Sequence, residues 1–378
     1  MADWTVPFSA SYRFVRVRRS DWTEQGPVEG VRTGGEVTRS YATSIKWSAA
    51  LTCDRDLSLG SDLLRIYMDA DFLGAQAPES VCLGTYLVSQ PKRQVEAHGS
   101  TMEADLYGPL QILMDMQFAG TYTVPAGASA VGHAANLCRG AGLLVTADPT
   151  THRTSRDRTY GIPSEQSQVT EEEADDSEGE MTTEDSQLFC VNDLLDIANF
   201  ASATTDAMGR VHLKAYHVPA ARPVAWRLEE GPGCRFLSSM EDEQDLFGLP
   251  NCVKVVVSNA DKCVIGTARN DDPKSPWSTR AVGREIWRNV RKTEDMTQQE
   301  ASAYAARLLK TGGNARRKVT FQHTFLPMEP GQIVRLAYPS GGVDDLFQVT
   351  KVSYDLGAPG CLMTVSAKTF NKEATDDR

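Results

Sequence analysis

The stretch from Lys318 to Phe370 decides the fold, and it reads KVTFQHTFLPMEPGQIVRLAYPSGGVDDLFQVTKVSYDLGAPGCLMTVSAKTF. In its first run Val319, Phe321 and Phe325 share one parity, which is typical of a strand with one buried face. Turn-forming Pro and Gly residues separate this run from three more. The predicted strands are Lys318–Phe325, Val334–Tyr338, Phe347–Tyr354 and Leu362–Phe370. Four short strands cannot bury themselves as a flat sheet, so we expect a small barrel or sandwich completed by strands from earlier in the chain.

The first third of the chain is also predicted to be mostly strand. Regular spacing of its apolar runs, with polar turns between them, favours a barrel-like domain. The segment from Gln25 to Gly35 contains Gly26-Pro27 and Gly34-Gly35 and is predicted to be a loop. Leu106, Leu110 and Leu113 then follow helical spacing, so a short helix closes this domain. The six predicted strands cover Tyr12–Arg19, Ile45–Leu51, Leu64–Met68, Leu83–Val88, Val95–Ala97 and Met102–Leu106.

A helix, a turn and a strand occur twice in the middle of the chain. Ser129 can cap a helix that runs through Gly140 and precedes a strand over 143–146. A second helix over 188–200, with Asn192 or Asp193 near its start, precedes a strand that contains Val211, Leu213 and Ala215. The order predicts two similar units in one α+β domain.

Between these two units lies a strongly acidic run. From Glu165 to Asp185 there are ten Asp and Glu residues and no Lys or Arg. Such a run cannot bury enough apolar surface to order itself, so we expect a mobile loop. Calcium binding is the alternative, although the D-x-D-x-D-G spacing of a calcium loop is absent.

The segment that precedes the C-terminal stretch is predicted to hold two strands and a helix. Val253–Ser258 is a continuous apolar run, and Cys263–Arg269 follows it. Thr297 with Glu300 forms a capping box that opens a helix, and Gly312-Gly313 is expected to end it. Ala301, Tyr304, Ala305, Leu308 and Leu309 form its packing stripe.

Composition excludes several classes of protein. The chain has 378 residues, 41% of them hydrophobic and 24% charged, and a formal net charge of −11. The acidic balance argues against a nucleic-acid-binding surface, since such binding uses clustered Lys and Arg. No run approaches the length of a membrane span, and the first ten residues lack a signal-peptide pattern, so we expect a protein that is made in a cytosol and stays soluble.

The sequence contains no recognisable catalytic or metal-binding pattern. The phosphate-loop, dinucleotide, zinc-protease and serine-hydrolase motifs are all absent. The eight cysteines are scattered and are expected to be buried thiols, and the six histidines are dispersed. Asp54 with Asp56, or Asp344 with Asp345, could serve as an acid and base pair, but turns are rich in Asp for backbone reasons. We therefore predict no catalytic, cofactor-binding or metal-binding residue, and no enzyme.

Trp277 is the one candidate interface residue. It follows Pro276 in a predicted turn, where an exposed indole could anchor a partner. The alternative is a Trp that packs on its own loop.

Several segments, taken in order, resemble the phage tail hub proteins, which are also called tail-tip, baseplate hub or tail-associated proteins. Their core is similar to the hub of contractile-tail phages and to the base of type VI secretion spikes. The matching segments are Cys82–Ser89, Tyr122–Gly127, Val191–Leu195, Asn251–Val257, Asn270–Pro276 and Glu329–Val334. They extend across nearly the whole chain. Many relatives continue into a lytic or fibre-binding region, whereas the polar tail Asn371–Arg378 follows Phe370 here, so we do not expect a peptidoglycan-cleaving role for this polypeptide.

The resemblance implies an α+β, predominantly β fold with two small β-barrel-like hub domains and two α+β insert domains. Val211–Tyr216 would pair with the C-terminal strands in the second hub domain. The expected ranges are 1–118 for the first hub domain, 119–207 for the first insert with the acidic mobile loop at about 162–187, 208–238 and 315–371 for the second, discontinuous hub domain, 239–314 for the second insert with a helix over 297–310, and 372–378 for a polar tail.

The function implied by the resemblance is structural. A homotrimeric hub would adapt the six-fold tail tube to the three-fold tail tip and surround the DNA exit channel. Its expected partners are a tail tube or distal tail protein hexamer, the tape measure protein, and tail-tip fibre or spike proteins, without specific nucleic-acid binding. It would be assembled in the host cytoplasm and reside at the virion tail tip. The alternatives are a hub-borne cell-wall-degrading enzyme and a receptor-binding tail-tip protein.

Overall fold

A computed structural model describes residues 2–32, 34–55, 57, 59–89, 92–96, 99–161, 186–244, 249–258, 263–275, 277–292, 297–314 and 317–370. The fold is predominantly β with few helices, as predicted. The chain forms two compact units. Unit 1 comprises residues 1–217, 324–327 and 351–363, and unit 2 comprises 218–323, 328–350 and 364–378.

The first 217 residues contain thirteen of the strands and three of the helices. In chain order these are β1 (Phe8–Val17), β2 (Glu24–Pro27), β3 (Glu36–Ser40), β4 (Trp47–Cys53), β5 (Leu63–Phe72), β6 (Glu79–Val88), β7 (Lys92–Glu96), β8 (Gly99–Tyr107), α1 (Leu110–Asp115), β9 (Tyr122–Val124), α2 (Ala130–Gly140), β10 (Val145–Ala147), β11 (Arg158–Tyr160), α3 (Gln187–Ile197), β12 (Thr204–Thr205) and β13 (Val211–Leu213).

The remaining strands and helices follow Val218. They are β14 (Val224–Glu229), β15 (Phe236–Gln244), β16 (Cys252–Ser258), β17 (Cys263–Arg269), α4 (Thr279–Val282), β18 (Trp287–Lys292), α5 (Gln298–Asn314), β19 (Arg317–His323), β20 (Ile333–Tyr338), β21 (Val343–Asp355) and β22 (Met363–Lys368). Short 3-10 helices occupy Pro219–Ala221 and Pro339–Gly341.

Unit 1 is built on an antiparallel sheet. Its strand order is the end of β21, then β3, β4, β8, β6, β5, β1 and β2, with β7 paired to β8. The pairing of β1 with β5 is regular over all ten residues of each strand. No strand pairing joins β1 back to β21 among the described residues, so the sheet is not closed, and the two barrel-like hub domains stay a prediction.

An aromatic cluster fills the interior of unit 1 beside the start of β1. The Trp4 ring lies 5.5 Å from that of Phe8, 5.3 Å from Phe72 and 4.9 Å from Phe325. Phe325 lies 5.3 Å from the Tyr354 ring. Such edge and tilted contacts add to the free energy gained by burying aromatic surface. Residues from both ends of the sequence therefore share one core.

The predicted helix–turn–strand repeat is present in unit 1. Ser129 caps α2 by accepting a hydrogen bond from the Gly132 N–H at 3.1 Å, as predicted. The two equivalent strands, β10 and β13, pair in parallel, and β12 pairs with β13 on the other side. The two helices share a buried core that contains Ala134, Cys138 and Leu194. The repeat in the sequence thus corresponds to a repeat in the structure.

Two details of this region differ from the sequence-based expectation. We expected Val211–Tyr216 to pair with the C-terminal strands, and this was wrong. The short turn at 206–209 makes β13 run antiparallel to β12, and the other side of β13 pairs with β10. Helix α3 is capped by Ser186, whose hydroxyl accepts from the Phe189 N–H at 3.2 Å. Asn192 is not at its start and instead accepts from the Ala203 N–H at 2.9 Å.

Unit 2 contains a six-stranded sheet in the order β15, β19, β22, β21, β20 and β14, in which β14 and β20 are parallel. The C-terminal stretch forms the predicted strands, and Val319, Phe321 and His323 are buried on one face of β19. A separate sheet of β17, β16 and β18 packs against α5. The predicted stripe of α5 faces this sheet, with Ala301 and Ala305 fully buried.

Helix α5 runs from Gln298 to Asn314, so it is longer at its C-terminus than the predicted 297–310. Gly312 and Gly313 lie inside the helix, because glycine only lowers helix stability and strand β19 does not start until Arg317.

Residues 162–185 of the predicted acidic loop and the tail 372–378 lie outside the described residues. No described helix is long and apolar enough to cross a membrane.

Candidate functional site

Two of the six histidines, His133 and His212, take part in local hydrogen bonds within unit 1. His133 Nδ1 lies 2.8 Å from the Tyr122 hydroxyl. His212 Nε2 lies 3.0 Å from an Asp206 carboxylate oxygen, and its Nδ1 lies 2.8 Å from the Thr146 hydroxyl. In the described ranges no three His, Cys, Asp or Glu side chains are grouped so that they could hold a metal ion. These contacts fix turns and strand ends within unit 1.

Two of the four carboxylates considered as acid and base pairs, Asp54 and Asp344, form ion pairs with arginine. Asp54 forms an ion pair with Arg32, and Asp56 lies outside the described residues. An Asp344 carboxylate oxygen accepts a hydrogen bond from Arg335 at 2.9 Å. Asp54 and Asp344 therefore each take part in a local ion pair on the surface of the chain.

Four cysteine thiols are held in their protonated form by burial. Burial raises the pKa of Cys82 and of Cys361 to about 11, and that of Cys138 and of Cys190 to about 12. The thiolate is the reactive and metal-binding form of cysteine. Five of the eight cysteines are buried, as expected, namely Cys53, Cys138, Cys190, Cys252 and Cys361. Cys82 and Cys234 are only partly buried, and for the exposed Cys263 the expectation was wrong.

Trp277 is partly buried and packs against the core between α5 and the sheet of β16, β17 and β18. Ser278, which follows it, is fully buried and caps α4 by accepting from the Ala281 N–H at 3.2 Å. The indole thus belongs in part to the core of its own unit. Its role as an interface anchor stays a prediction.

One candidate binding feature of unit 1 is the edge of β1 at residues Phe8–Phe14, with which no second described strand pairs, and which we call the β1 edge. On one side β1 pairs with β5 along its whole length, but on the other side β2 pairs only with Val15–Val17. The Phe14 carbonyl accepts from the Val28 N–H at 2.7 Å on that second side. Because backbone groups of alternate residues point the same way, the N–H and C=O groups of Ala10 and Tyr12 face this edge as well.

Two cavities give access to the β1 edge. One, of about 600 Å³, is lined by β1 residues between Phe8 and Phe14, by Val31, Arg32 and Gly34, and by the turn Leu356–Gly360. The other, of about 770 Å³, is lined by Tyr12–Val15 and Glu24–Val31. Along the edge the residues Phe8, Ala10, Tyr12 and Phe14 are half-buried and Ser9, Ser11 and Arg13 are exposed. An extended peptide could therefore reach the unpaired backbone groups.

A buried arginine holds the turn before β13 against the same sheet. The Arg65 side chain on β5 is only 3% exposed. It donates to the Thr85 hydroxyl at 2.9 Å, to a Glu24 carboxylate oxygen at 2.7 Å and to the Met208 carbonyl at 3.0 Å. Hydrogen bonds from Tyr67 and Arg65, in that order of importance, lower the pKa of Glu24. This network locks the α+β part of unit 1 to the sheet that carries the β1 edge.

The sequence located β1 as a strand but not its open edge. An edge is a property of strand pairing, which a single strand's residue pattern does not contain. One signal was available: Phe8–Phe14 has no Lys or Pro, the residues that commonly protect an edge.

Comparison with known proteins identifies the fold. No protein-family model matches the chain, and no curated protein matches it. Among solved structures, a tail protein from Neisseria meningitidis MC58 superposes with a TM-score of 0.66 at 10% identity, over 95% of this chain and 96% of that one. The 43 kDa tail protein of prophage MuSo2 from Shewanella oneidensis gives 0.60 at 10% identity, over 94% and 98% of the two chains.

A third structure extends the comparison to another bacterial lineage. The prophage tail protein gp18 from Listeria monocytogenes EGD-e gives a TM-score of 0.53 at 11% identity, over 96% of this chain and 95% of that one. The resemblance inferred from the sequence is thereby confirmed at the level of the fold. Across nearly its whole length, this chain has the fold of phage and prophage tail proteins.

Proposed function

We propose that the chain is a structural component of a phage or prophage tail, a homotrimeric hub that joins the six-fold tail tube to the three-fold tail tip. The observation that carries this proposal is the fold shared with tail proteins over at least 94% of this chain and 95% of theirs. A likeness confined to one domain would leave the role of the remainder open. Here no large segment falls outside the shared fold.

The hub works by geometry. Each chain contributes two barrel-like hub domains, so a ring of three chains presents six similar surfaces to a hexameric partner. The mainly β units, each with a multi-stranded sheet, support this arrangement. The ring surrounds the channel through which DNA leaves. A net charge of −11 suits a lumen that repels phosphate, and a lumen lined by Lys and Arg would refute that part of the proposal.

In this function the hub contacts a tail tube or distal tail protein hexamer on one side and the tape measure protein within the channel. Fibre or spike proteins attach at the tip, and the assembled protein resides at the virion tail tip after assembly in the host cytoplasm. Trp277 is an interface anchor for one of these partners. Replacing it with Ala should block tail assembly while the isolated chain stays folded by circular dichroism, and normal assembly would remove Trp277 from the interface.

Light scattering of the purified chain across a concentration series tests the ring. The expected species has three times the 41.4 kDa mass of one chain. Immunogold labelling of intact tails would then place the label at the tip. A chain that is monomeric at every concentration, together with label elsewhere on the particle, would refute the proposal.

A further inference from the structure

We propose that the three-stranded sheet of unit 2 has an exposed face that binds a short acidic segment of a partner protein. The sheet consists of β16, β17 and β18, and α5 covers one of its faces. The opposite face, which we call the open face, carries the side chains Lys254, Ile265, Thr267, Trp287, Asn289 and Arg291. This binding does not require the trimer proposed above.

A polar row crosses the centre of the open face. Val253 and Val255 of β16 are buried toward α5, so Lys254 between them points to the other side of the sheet. The strand register places Lys254 beside Thr267 of β17 and beside Asn289 of β18. An ammonium group, a hydroxyl and a carboxamide therefore lie next to one another, and all three can donate hydrogen bonds.

Exposed apolar side chains flank this polar row. Trp287 is 44% exposed at one end of the face, and Ile265 is 42% exposed toward the other end. The Trp287 indole N–H donates to a Glu285 carboxylate oxygen at 3.0 Å, which restricts the ring while its surface stays accessible. Tryptophan is among the residues that contribute most to binding energy at protein interfaces. The open face thus offers apolar surface as well as donors.

Two cations on the open face have no acidic partner among the residues that the structure describes. Lys254 and Arg291 form neither an ion pair nor a side-chain hydrogen bond with any of them. By contrast, Arg13, Arg16 and Arg65 on the unit 1 sheet each hold a carboxylate. Residues 251–292 contain nine Lys and Arg and only four Asp and Glu, in a chain whose net charge is −11. The positive charge of the open face is therefore available to the carboxylates of a partner.

The size of the open face selects a peptide segment as its occupant. The three strands have six or seven residues each. With strands about 4.8 Å apart and a rise of about 3.3 Å per residue, the face measures roughly 300 Å². Each partner in a stable complex of folded proteins contributes about 800 Å². The open face by itself is too small for a second folded copy, whereas one segment of polypeptide can cover it.

The spacing of the two cations specifies the chemistry of the segment. Arg291 lies opposite Val256, two residues further along β16 than Lys254, so the Cα atoms of the two cationic residues are about 8 Å apart. Carboxylates at alternate positions of an extended peptide are about 7 Å apart and can reach both cations. An apolar residue at the next alternate position would then lie on Trp287. Nucleic acid fits less well, because its affinity comes from many phosphate contacts.

Fluorescence anisotropy of the full chain tests this binding. The probe is a labelled peptide with glutamate at two alternate positions and leucine at the next alternate position. Replacing both glutamates with glutamine should weaken binding about tenfold, since two exposed ion pairs are lost. This comparison needs no change in the protein.

Variants of the chain locate the binding on the open face. Lys254→Gln combined with Arg291→Gln should weaken binding of the glutamate peptide about tenfold, and Trp287→Ala should weaken it by about tenfold or more. Lys274→Gln combined with Arg280→Gln is the matched control, because it removes two exposed cations from outside the open face. The control should change the affinity by less than about twofold.

Four results would overturn the proposal. They are equal affinity for the glutamate and glutamine peptides, an equal loss of binding in the control variant, tighter binding of a DNA oligonucleotide than of the glutamate peptide, and a change of oligomeric state on replacing Trp287 with Ala. The third result would assign the open face to nucleic acid and the fourth to a second copy of the chain. A wild-type chain that is monomeric and binds the glutamate peptide would refute the ring and support this inference.

Discussion

Replacing Arg65 with Met should weaken unit 1 much more than removing an exposed arginine from the same sheet. The Arg65 side chain is 3% exposed and makes hydrogen bonds to Thr85, Glu24 and the Met208 carbonyl. Methionine retains the length and apolar stem of arginine, so the substitution removes the charge and the donors without leaving a large cavity. The measured effect therefore reports on the polar contacts.

The magnitude follows from the three partners. Without Arg65 the part-buried Met208 carbonyl would have lost its hydrogen-bond donor, at a cost of about 1–3 kcal/mol. Loss of the hydrogen bond from Arg65 to Thr85 would cost about 1 kcal/mol more. The Glu24 side chain is 42% exposed, so water replaces much of what it loses and the pair contributes about 0–1 kcal/mol. We expect the free energy of unfolding of unit 1 to fall by about 2–5 kcal/mol.

Urea denaturation followed by circular dichroism measures this change, and Arg13→Met is the matched control. Arg13 also lies on the unit 1 sheet and pairs with Asp69, but its side chain is 53% exposed. Its removal should cost less than about 1 kcal/mol, as is usual for exposed ion pairs. If the two variants unfold at the same urea concentration, the buried network does not stabilise unit 1 and the reasoning fails.

Two further substitutions test unit 2. Gly266→Ala should destabilise the packing of α5 on its sheet by about 1–3 kcal/mol in urea denaturation, because the added Cβ would collide with the Ala301 backbone, and a wild-type midpoint would contradict that close approach. Asp242 accepts a hydrogen bond from Arg317 at 2.7 Å, and this bond lowers the pKa of Asp242 in the folded protein. The ion pair therefore stabilises the fold at any pH above the pKa of Asp242 in the unfolded chain, about 4. This stabilisation is lost as the pH falls through the lower pKa of the folded state. Asp242→Asn should therefore reduce stability at pH 7 and make little difference near pH 2, and an equal loss at both pH values would exclude the ion pair as its cause.

Local patterns predicted most of the secondary structure. The alternation in Lys318–Phe325 identified β19, and Ser129 identified the start of α2, because both depend on neighbouring residues. Strand β3 falls next to the predicted loop and was missed, since Gly34-Gly35 resembles a turn. The cap of α3 was placed several residues late because Ser186 follows directly on the acidic run. Neighbouring glycine or acidic residues therefore make a strand or a helix start hard to predict from the sequence, even where contacts in the folded chain stabilise it.

Pairing between distant segments was harder to predict. Val211–Leu213 has the pattern of a strand, but the pattern does not contain the identity of its neighbour, and the partner assigned to it was wrong. In β21 the apolar parity changes between Val349 and Val352, where the strand passes from pairing with β20 to pairing with β3. The candidate site depends on the same kind of information. Phe8–Phe14 lacks Lys and Pro, but that absence alone does not reveal that no described strand pairs with one side of β1 over these residues.

The division of unit 1 into three separate stretches of sequence has a consequence for how the protein is made. The first 217 residues leave the ribosome as one block, but Phe325 and Tyr354, which belong to the aromatic cluster around Trp4, are still to be synthesised. At about 5–20 residues per second, roughly 7–30 s separate His217 from Tyr354. During that interval the nascent chain has an incomplete core and an uncovered β1 edge. Chaperone binding to the nascent chain should therefore persist until translation is nearly complete.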